Sequence, residues 1–313
     1  MEKFKKVVSV VLKALKDNVV KIILGAIIGA GGVLPGVSGG VLAVLFGLYL
    51  PLMRFLAHPI KNFKQSMIEL WPILLGYVIG YVGIAKVLGA VLAAYETQSL
   101  ALFVGMAIGI MPSLFREAGE KGRNRNSWIS MGVVFAVAFT ILYTCTYVLE
   151  FTIKPNFAWN MFGGVCLALS IIAPGLSGST LMLPLKALGA GGATITFYTH
   201  ITGTIGDVLG SPDLLALFAI VLGAVAAVVT LSKGIDWLMN NHYSVTFHGI
   251  IGLVTASTVL TIPFGAFTSS VGSCSLHLAF VVVGCICTLL LDKFNSKVEK
   301  PPVKDSEEES RKA

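Results

Sequence analysis

The chain has 313 residues, of which 55% are apolar and only 12% charged, with a mean hydropathy of +0.84. A water-soluble domain carries about 25% charged residues, so the composition excludes soluble enzymes, secreted disulfide scaffolds and disordered regulators, and points to a polytopic membrane protein. The net charge of +7 is no sign of a nucleic-acid partner, because nearly all Lys and Arg lie between apolar segments or at the ends, where they set membrane orientation.

Residues 1–21, MEKFKKVVSVVLKALKDNVVK, interleave lysines with apolar residues at helical spacing. They predict a basic amphipathic helix on a leaflet of anionic lipids, or a positive-inside anchor, and lack the core and cleavage site of a signal peptide. Eight apolar blocks follow. Six are long enough to cross a bilayer: about 71–93, 99–115, 128–151, 213–232, 246–264 and 276–292. The other two, 22–53 and 158–190, are interrupted near the middle by Pro and Gly. Each of their arms, built as helix, would rise roughly 20–24 Å, short of a hydrocarbon core about 30 Å thick.

Basic residues choose between one broken crossing and a re-entrant hairpin. With both blocks re-entrant and both termini cytoplasmic, the stretches 1–21, 54–70, 116–127, 233–245 and 293–313 hold 20 of the 23 Lys and Arg. A single crossing by the first block would instead place Arg54, Lys61, Lys64 and the Arg116–Arg125 cluster outside, so the positive-inside rule favours the hairpins. The tail 293–313 is charged, contains proline and predicts disorder. Five cysteines without a CxxC pair read as small hydrophobes inside apolar runs.

The interrupted blocks look like copies. Pro35-Gly36-Val37-Ser38-Gly39-Gly40 matches Pro174-Gly175-Leu176-Ser177-Gly178-Ser179 at an offset of 139, which also carries the crossing 71–93 onto 210–232. Phe103-Val104-Gly105 matches Phe247-His248-Gly249 after a small insertion. The expected fold is an all-α membrane protein of two repeats, 22–151 and 158–292, each a re-entrant broken-helix hairpin followed by three transmembrane helices. Three is odd, so the second repeat is inverted relative to the first, an arrangement recurrent among transporters. Gly-rich faces also serve plain helix packing, within one chain or in a homo-oligomer.

Irregular backbone persists at membrane depth only where protein or a wet cavity satisfies it. The prolines end each first arm, the glycines permit close approach of a ligand, and Ser38 and Ser177 are placed to cap the returning arms. Free N–H groups at those helix starts make an anion site, and two hairpins from opposite faces point two such sites at each other. Phosphate, carboxylate and chloride fit equally. Lys86 and Lys186 fall inside apolar blocks, as charge partners or as snorkelling side chains. Arg54 either meets an anion at the cytoplasmic mouth or anchors the chain. His200, Asp207, His248 and His277 sit near segment boundaries as candidate proton carriers. No metal-ligand spacing or nucleophile elbow occurs and carboxylates are nearly absent from the apolar blocks, so no enzyme, metal or cofactor is expected.

At GAGGVLPGVSGGVLAVLFGLY and IIAPGLSGSTLMLPLKALG the chain resembles the domain-of-unknown-function family 368, the PopT-like polyprenyl-phosphate translocases of bacterial envelopes, over roughly residues 20–292. Members often carry an acidic residue before the first Pro-Gly, where Gly31-Gly32-Val33 stands here. The resemblance implies a flippase of undecaprenyl phosphate in the bacterial plasma membrane. Its head group would be held by Gly36, Ser38, Gly39, Gly40, Gly175, Ser177, Gly178 and Ser179, with Lys186, Lys86 and Arg54 as partners. A carrier or channel for a small soluble anion is the other transport reading, and a non-transporting scaffold a third.

Overall fold

The computed structural model describes residues 2–34, 42, 46, 48, 63–173 and 176–298. Among them six helices are long and apolar enough to cross a membrane. They are α2 (Phe63–Ala94), α3 (Glu96–Ala118), α4 (Arg125–Tyr143, prolonged by a π turn over Thr144–Val148), α8 (Leu214–Asn241), α9 (Tyr243–Thr261) and α11 (Val271–Val298). Each overlaps a crossing expected from the apolar runs, and α8 runs past 232 to Asn241. The chain is therefore a mostly helical, multi-pass membrane protein.

Helix starts follow local chemistry. Asn124, Asn156, Thr196 and Asp213 each accept a backbone N–H three residues on, at 2.8–3.0 Å, and so cap α4, α5 (Phe157–Ile172), α7 (Phe197–Gly206) and α8. The first helix, α1 (Glu2–Val33), runs unbroken through residue 21, where the composition changes from basic to apolar. Between α9 and α11 lies one short helix, α10 (Phe264–Thr268).

Close packing is arranged in four parallel pairs: α1 with α2, α5 with α8, α3 with α11, and α4 with α9. Glycines make each seam. A Cβ on Gly25 would overlap the Ile73 carbonyl, one on Gly76 the Ile22 carbonyl, one on Gly164 the Ile220 carbonyl and one on Gly223 the Met161 carbonyl. Gly105 and Gly284 do the same between α3 and α11. Small residues bring helix backbones together in this way where lipid, as apolar as Leu, offers no hydrophobic drive to associate. Helix α3 also packs on α9, joining the pairs.

Two helices stop partway. The end of α1, Val33, lies in one apolar cluster with Tyr81, halfway along the apolar part of α2. Helix α5 begins where Phe157 meets Phe218 of α8, at 6.3 Å between rings, and ends at Ile172. After it the returning arm, expected as helix to 190, is helical only over α6 (Gly178–Met182). Pro184 has no N–H to continue it, and Gly191 and Gly192 adopt φ of 73° and 83°, which only glycine takes without strain. The chain instead forms a three-stranded sheet, β1 (Thr152–Ile153), β2 (Lys186–Leu188) and β3 (Thr194–Thr196), with β1 parallel and β3 antiparallel to β2. These short strands are the departure from an all-α fold.

Candidate functional site

The second Pro-Gly-x-Ser-Gly segment is described from Leu176 onward, whereas Gly36, Ser38, Gly39, Gly40, Arg54 and Gly175 lie outside the described residues. Ser177 occupies the N-cap position of α6 (φ −94°, ψ 139°), yet its side chain caps nothing. Its Oγ lies 2.8 Å from Ser179 Oγ, so one of the pair donates to the other and one hydroxyl proton stays available. Gly178 is buried, and a Cβ there would sit 3.0 Å from the Cys166 carbonyl oxygen, so α6 lies directly against α5. Five residues align too few peptide dipoles for a substantial helix-end charge. The helix-end anion site expected of this arm is thus not formed by α6, and the polar side chains the arm presents there are the Ser177 and Ser179 hydroxyls.

Pro184 shapes the surroundings. The Thr180 carbonyl, denied the N–H that residue 184 of a regular helix supplies, accepts the Ser257 hydroxyl of α9. The Pro184 carbonyl accepts Thr146 Oγ1 at 3.0 Å from the π turn of α4. Around this point a narrow cavity of about 30 Å³, room for roughly one water, is lined by Ser177, Ser179, Thr180, Ser257, Thr258 and Thr261 against Phe103, Val104 and Ala107 of α3. Leu183 and Thr261 also line a second, wider cavity of about 310 Å³. Its walls include Glu96, Thr146, Tyr147, Lys186, Thr194, Thr196 and Pro263. Lys186 Nζ stands 5.9 Å above the Tyr147 ring, a cation–π contact at the rim.

The expected residues thus divide. Ser177, Ser179 and Lys186 line this pair of cavities, with Gly178 between the two serines. Lys86 does not join them: it is exposed on α2, its backbone pressed under Gly206 at the end of α7. His200, His248 and His277 line neither cavity. Burial holds the His200 pKa below its ordinary value, against the opposing pull of Asp213, and its Nε2 lies 2.8 Å from Asn160 Oδ1. His277 spans Ser273 O and Thr97 Oγ1, while His248 Nδ1 donates to Ser244 O and its Nε2 has no partner among the described residues. Sequence reasoning passed over Thr146, Tyr147, Glu96 and the hydroxyls of α9. The latter had a signal, because Val254, Ser257, Thr258 and Thr261 fall at i, i+3, i+4 and i+7 along one helix face.

Fold and cavities together define a multi-pass membrane protein with two neighbouring, hydroxyl-bearing cavities among its helices. Residues 28–275 match the VCA0040-like, undecaprenyl phosphate translocase-like family, and the chain belongs to it. The match spans both Pro-Gly-x-Ser-Gly segments. The chain is 23% identical over 248 residues to a polyprenyl-phosphate transporter of Vibrio cholerae serotype O1, covering 74% of this chain and 73% of that protein. It is 24% identical over 292 residues to a polyprenyl-phosphate transporter of Staphylococcus aureus, covering 90% and 98%. No solved structure matches the chain.

Proposed function

We propose that the protein is a polyprenyl-phosphate transporter, a flippase that carries undecaprenyl phosphate from the outer to the inner leaflet of a bacterial plasma membrane, with both termini cytoplasmic. The observation that carries this reading is the pair of neighbouring cavities at the second signature, which share Leu183 and Thr261 in their linings, in a chain whose relatives bear that transporter name. The phosphate alone needs shelter across about 30 Å of hydrocarbon, since the tail is soluble in lipid throughout. The wide cavity, with Lys186 at its rim, receives the head group. Leu183 and Thr261, common to both linings, form the constriction that separates it from the Ser177/Ser179 hydroxyls. Opening that constriction while closing the rim is the alternating step.

Two inverted repeats supply a reason for such a step, and the helix pairs support them. The contact of Gly25 with Ile73 has its counterpart in Gly164 with Ile220, and that of Gly76 with Ile22 in Gly223 with Met161. Gly105 on Val281 corresponds to Gly252 on Met131, and the Thr97–His277 contact to that of Ser244 with Ser127. These contacts align Ile73 with Ile220 rather than Pro212, and Gly105 with Gly252 rather than Gly249, so the second repeat gains residues between its hairpin and first crossing. Pairing of β1 with β2 sets the residues before α5 beside those after α6, as a re-entrant segment requires.

Thermal stabilisation of the detergent-purified protein tests the reading, with undecaprenyl phosphate, undecaprenol and inorganic phosphate as ligands. A ligand held only by the folded protein adds about 2.7 kcal/mol at 100 times its dissociation constant. Stabilisation by the lipid phosphate alone, weakened in Ser177→Ala/Ser179→Ala, is expected. Equal stabilisation by free phosphate would indicate a soluble-anion carrier instead, and none by either phosphate would remove the transport reading.

A further inference from the structure

Helix α4 carries a row of aromatic rings at four-residue spacing. Phe135 and Phe139 stack at 5.7 Å between centroids and 20° between planes, Phe139 and Tyr143 at 5.7 Å and 15°, and Tyr143 and Tyr147 meet at 5.2 Å. From Phe135 to Tyr147 the helix rises roughly 18 Å. Tyr143 and Tyr147 are exposed, and both phenylalanines are half-buried. Aromatic residues facing lipid ordinarily gather in belts at the two interfaces, whereas this row leads from the interior of the membrane span to its end. Along their middle turns the outward faces of α2 and α8 are aliphatic, with Val78, Val87 and Val91 on α2 and Val221, Val225 and Val229 on α8, and their exposed aromatics, Trp71, Phe218 and Trp237, stand toward the ends of the apolar stretches. The repeat does not reproduce the row either. With Val281 of α11 matching Met131 of α4, the positions of Phe135, Phe139 and Tyr143 correspond to Cys285, Leu289 and Lys293.

The ladder ends at a charge. Tyr147, its last ring, lines the 310 Å³ cavity and lies under Lys186 Nζ. A continuous apolar track that terminates beside a cation is complementary to a molecule with a long apolar tail and one anionic end. We propose that the Phe135–Phe139–Tyr143–Tyr147 ladder seats the tail of the polyprenyl phosphate while its head group occupies the cavity beside Lys186. This rests on the transport reading above and adds where the tail lies. Branched, unsaturated isoprene units pack against ring faces along several repeats, while the phosphate fixes their starting point at Tyr147.

The test is equilibrium binding to the purified full chain in detergent, wild type against Phe135→Leu/Phe139→Leu/Tyr143→Leu, which keeps the face apolar and leaves Tyr147 and Lys186 in place. The ligands are undecaprenyl phosphate, dimethylallyl phosphate with a single isoprene unit, and dioleoyl phosphatidic acid. The wild type should bind the long prenyl phosphate more tightly than the one-unit compound. The variant should lose about tenfold in affinity for the long one and nothing for the short. Should the triple substitution lower the melting temperature, Phe139→Leu alone, at the centre of the ladder, is read in the same way. Unchanged affinity for the long prenyl phosphate would overturn the inference, as would an equal loss for phosphatidic acid, which would make the row an ordinary lipid-facing surface. A wild type that binds neither prenyl phosphate would overturn the transport reading along with it.

Discussion

Pro184 decides the course of the chain after α6. It ends α6 after five residues, leaves the Thr180 carbonyl without a helical donor, and draws in hydroxyls from two other helices, Ser257 on Thr180 and Thr146 on Pro184 itself. Bare carbonyls within a membrane protein are costly, so these side chains hold the irregular backbone in place. Replacing Ser257 by Ala should therefore destabilise the protein by about 1–2 kcal/mol, the cost of a buried acceptor left unpaired. In a Pro184→Ala background residue 184 regains an N–H directed at Thr180, and the same Ser257→Ala change should cost less than half as much. Melting temperatures of the four proteins in this double-mutant cycle decide it. Additive effects would mean that the two groups do not share the Thr180 carbonyl.

At the scale of elements, glycines divide into those that form a seam and those that face open space. Gly223 lies on the Met161 carbonyl, while Gly132, exposed in the middle of α4, has nothing within 4 Å of where its Cβ would be. Gly223→Ala should push α5 from α8 and cost about 1–3 kcal/mol. Gly132→Ala should be neutral or stabilise by up to about 1 kcal/mol, because alanine is the better helix former. Denaturant unfolding in mixed micelles measures both, and a stabilising Gly223→Ala would refute the close approach of those helices. The six crossings were legible because their apolar runs are long and their caps, Asn124 and Asp213 among them, stand at the starts. The returning arm was not, since α6 is a turn and a half and strands of two or three residues carry no periodicity. Ser177, Ser179 and Lys186 could be singled out from their types and positions. That Lys186 reaches the cavity and Lys86 does not depends on which helix each one faces, and spacing along a single chain does not encode that.

Over the whole molecule the polar contacts sort the turns into two ends. The turn between α3 and α4 meets the start of α9, with Lys121 Nζ 4.6 Å above the Tyr243 ring and Ser244 Oγ donating to the Ala118 carbonyl. At the other end Thr97 meets His277, and Glu96, Lys186 and Pro263 share the wide cavity. Among the described residues the first end gathers Lys121, Arg123 and Arg125, with the Arg116–Asp292 ion pair beside them, whereas Lys154 and Lys186 stand at the second. By the positive-inside rule the first end should be cytoplasmic and the wide cavity should open outward, where the proposed flippase would collect a spent lipid carrier. Orientation is accessible to labelling in a variant whose five native cysteines are replaced by alanine. Lys154→Cys should react with a membrane-impermeant maleimide in intact cells, and Lys121→Cys only after permeabilisation. The reverse pattern would turn the cavity toward the cytoplasm, and the same geometry would then load lipid phosphate from the inner leaflet, so that this one measurement fixes the side from which the proposed head-group site beside Lys186 is filled.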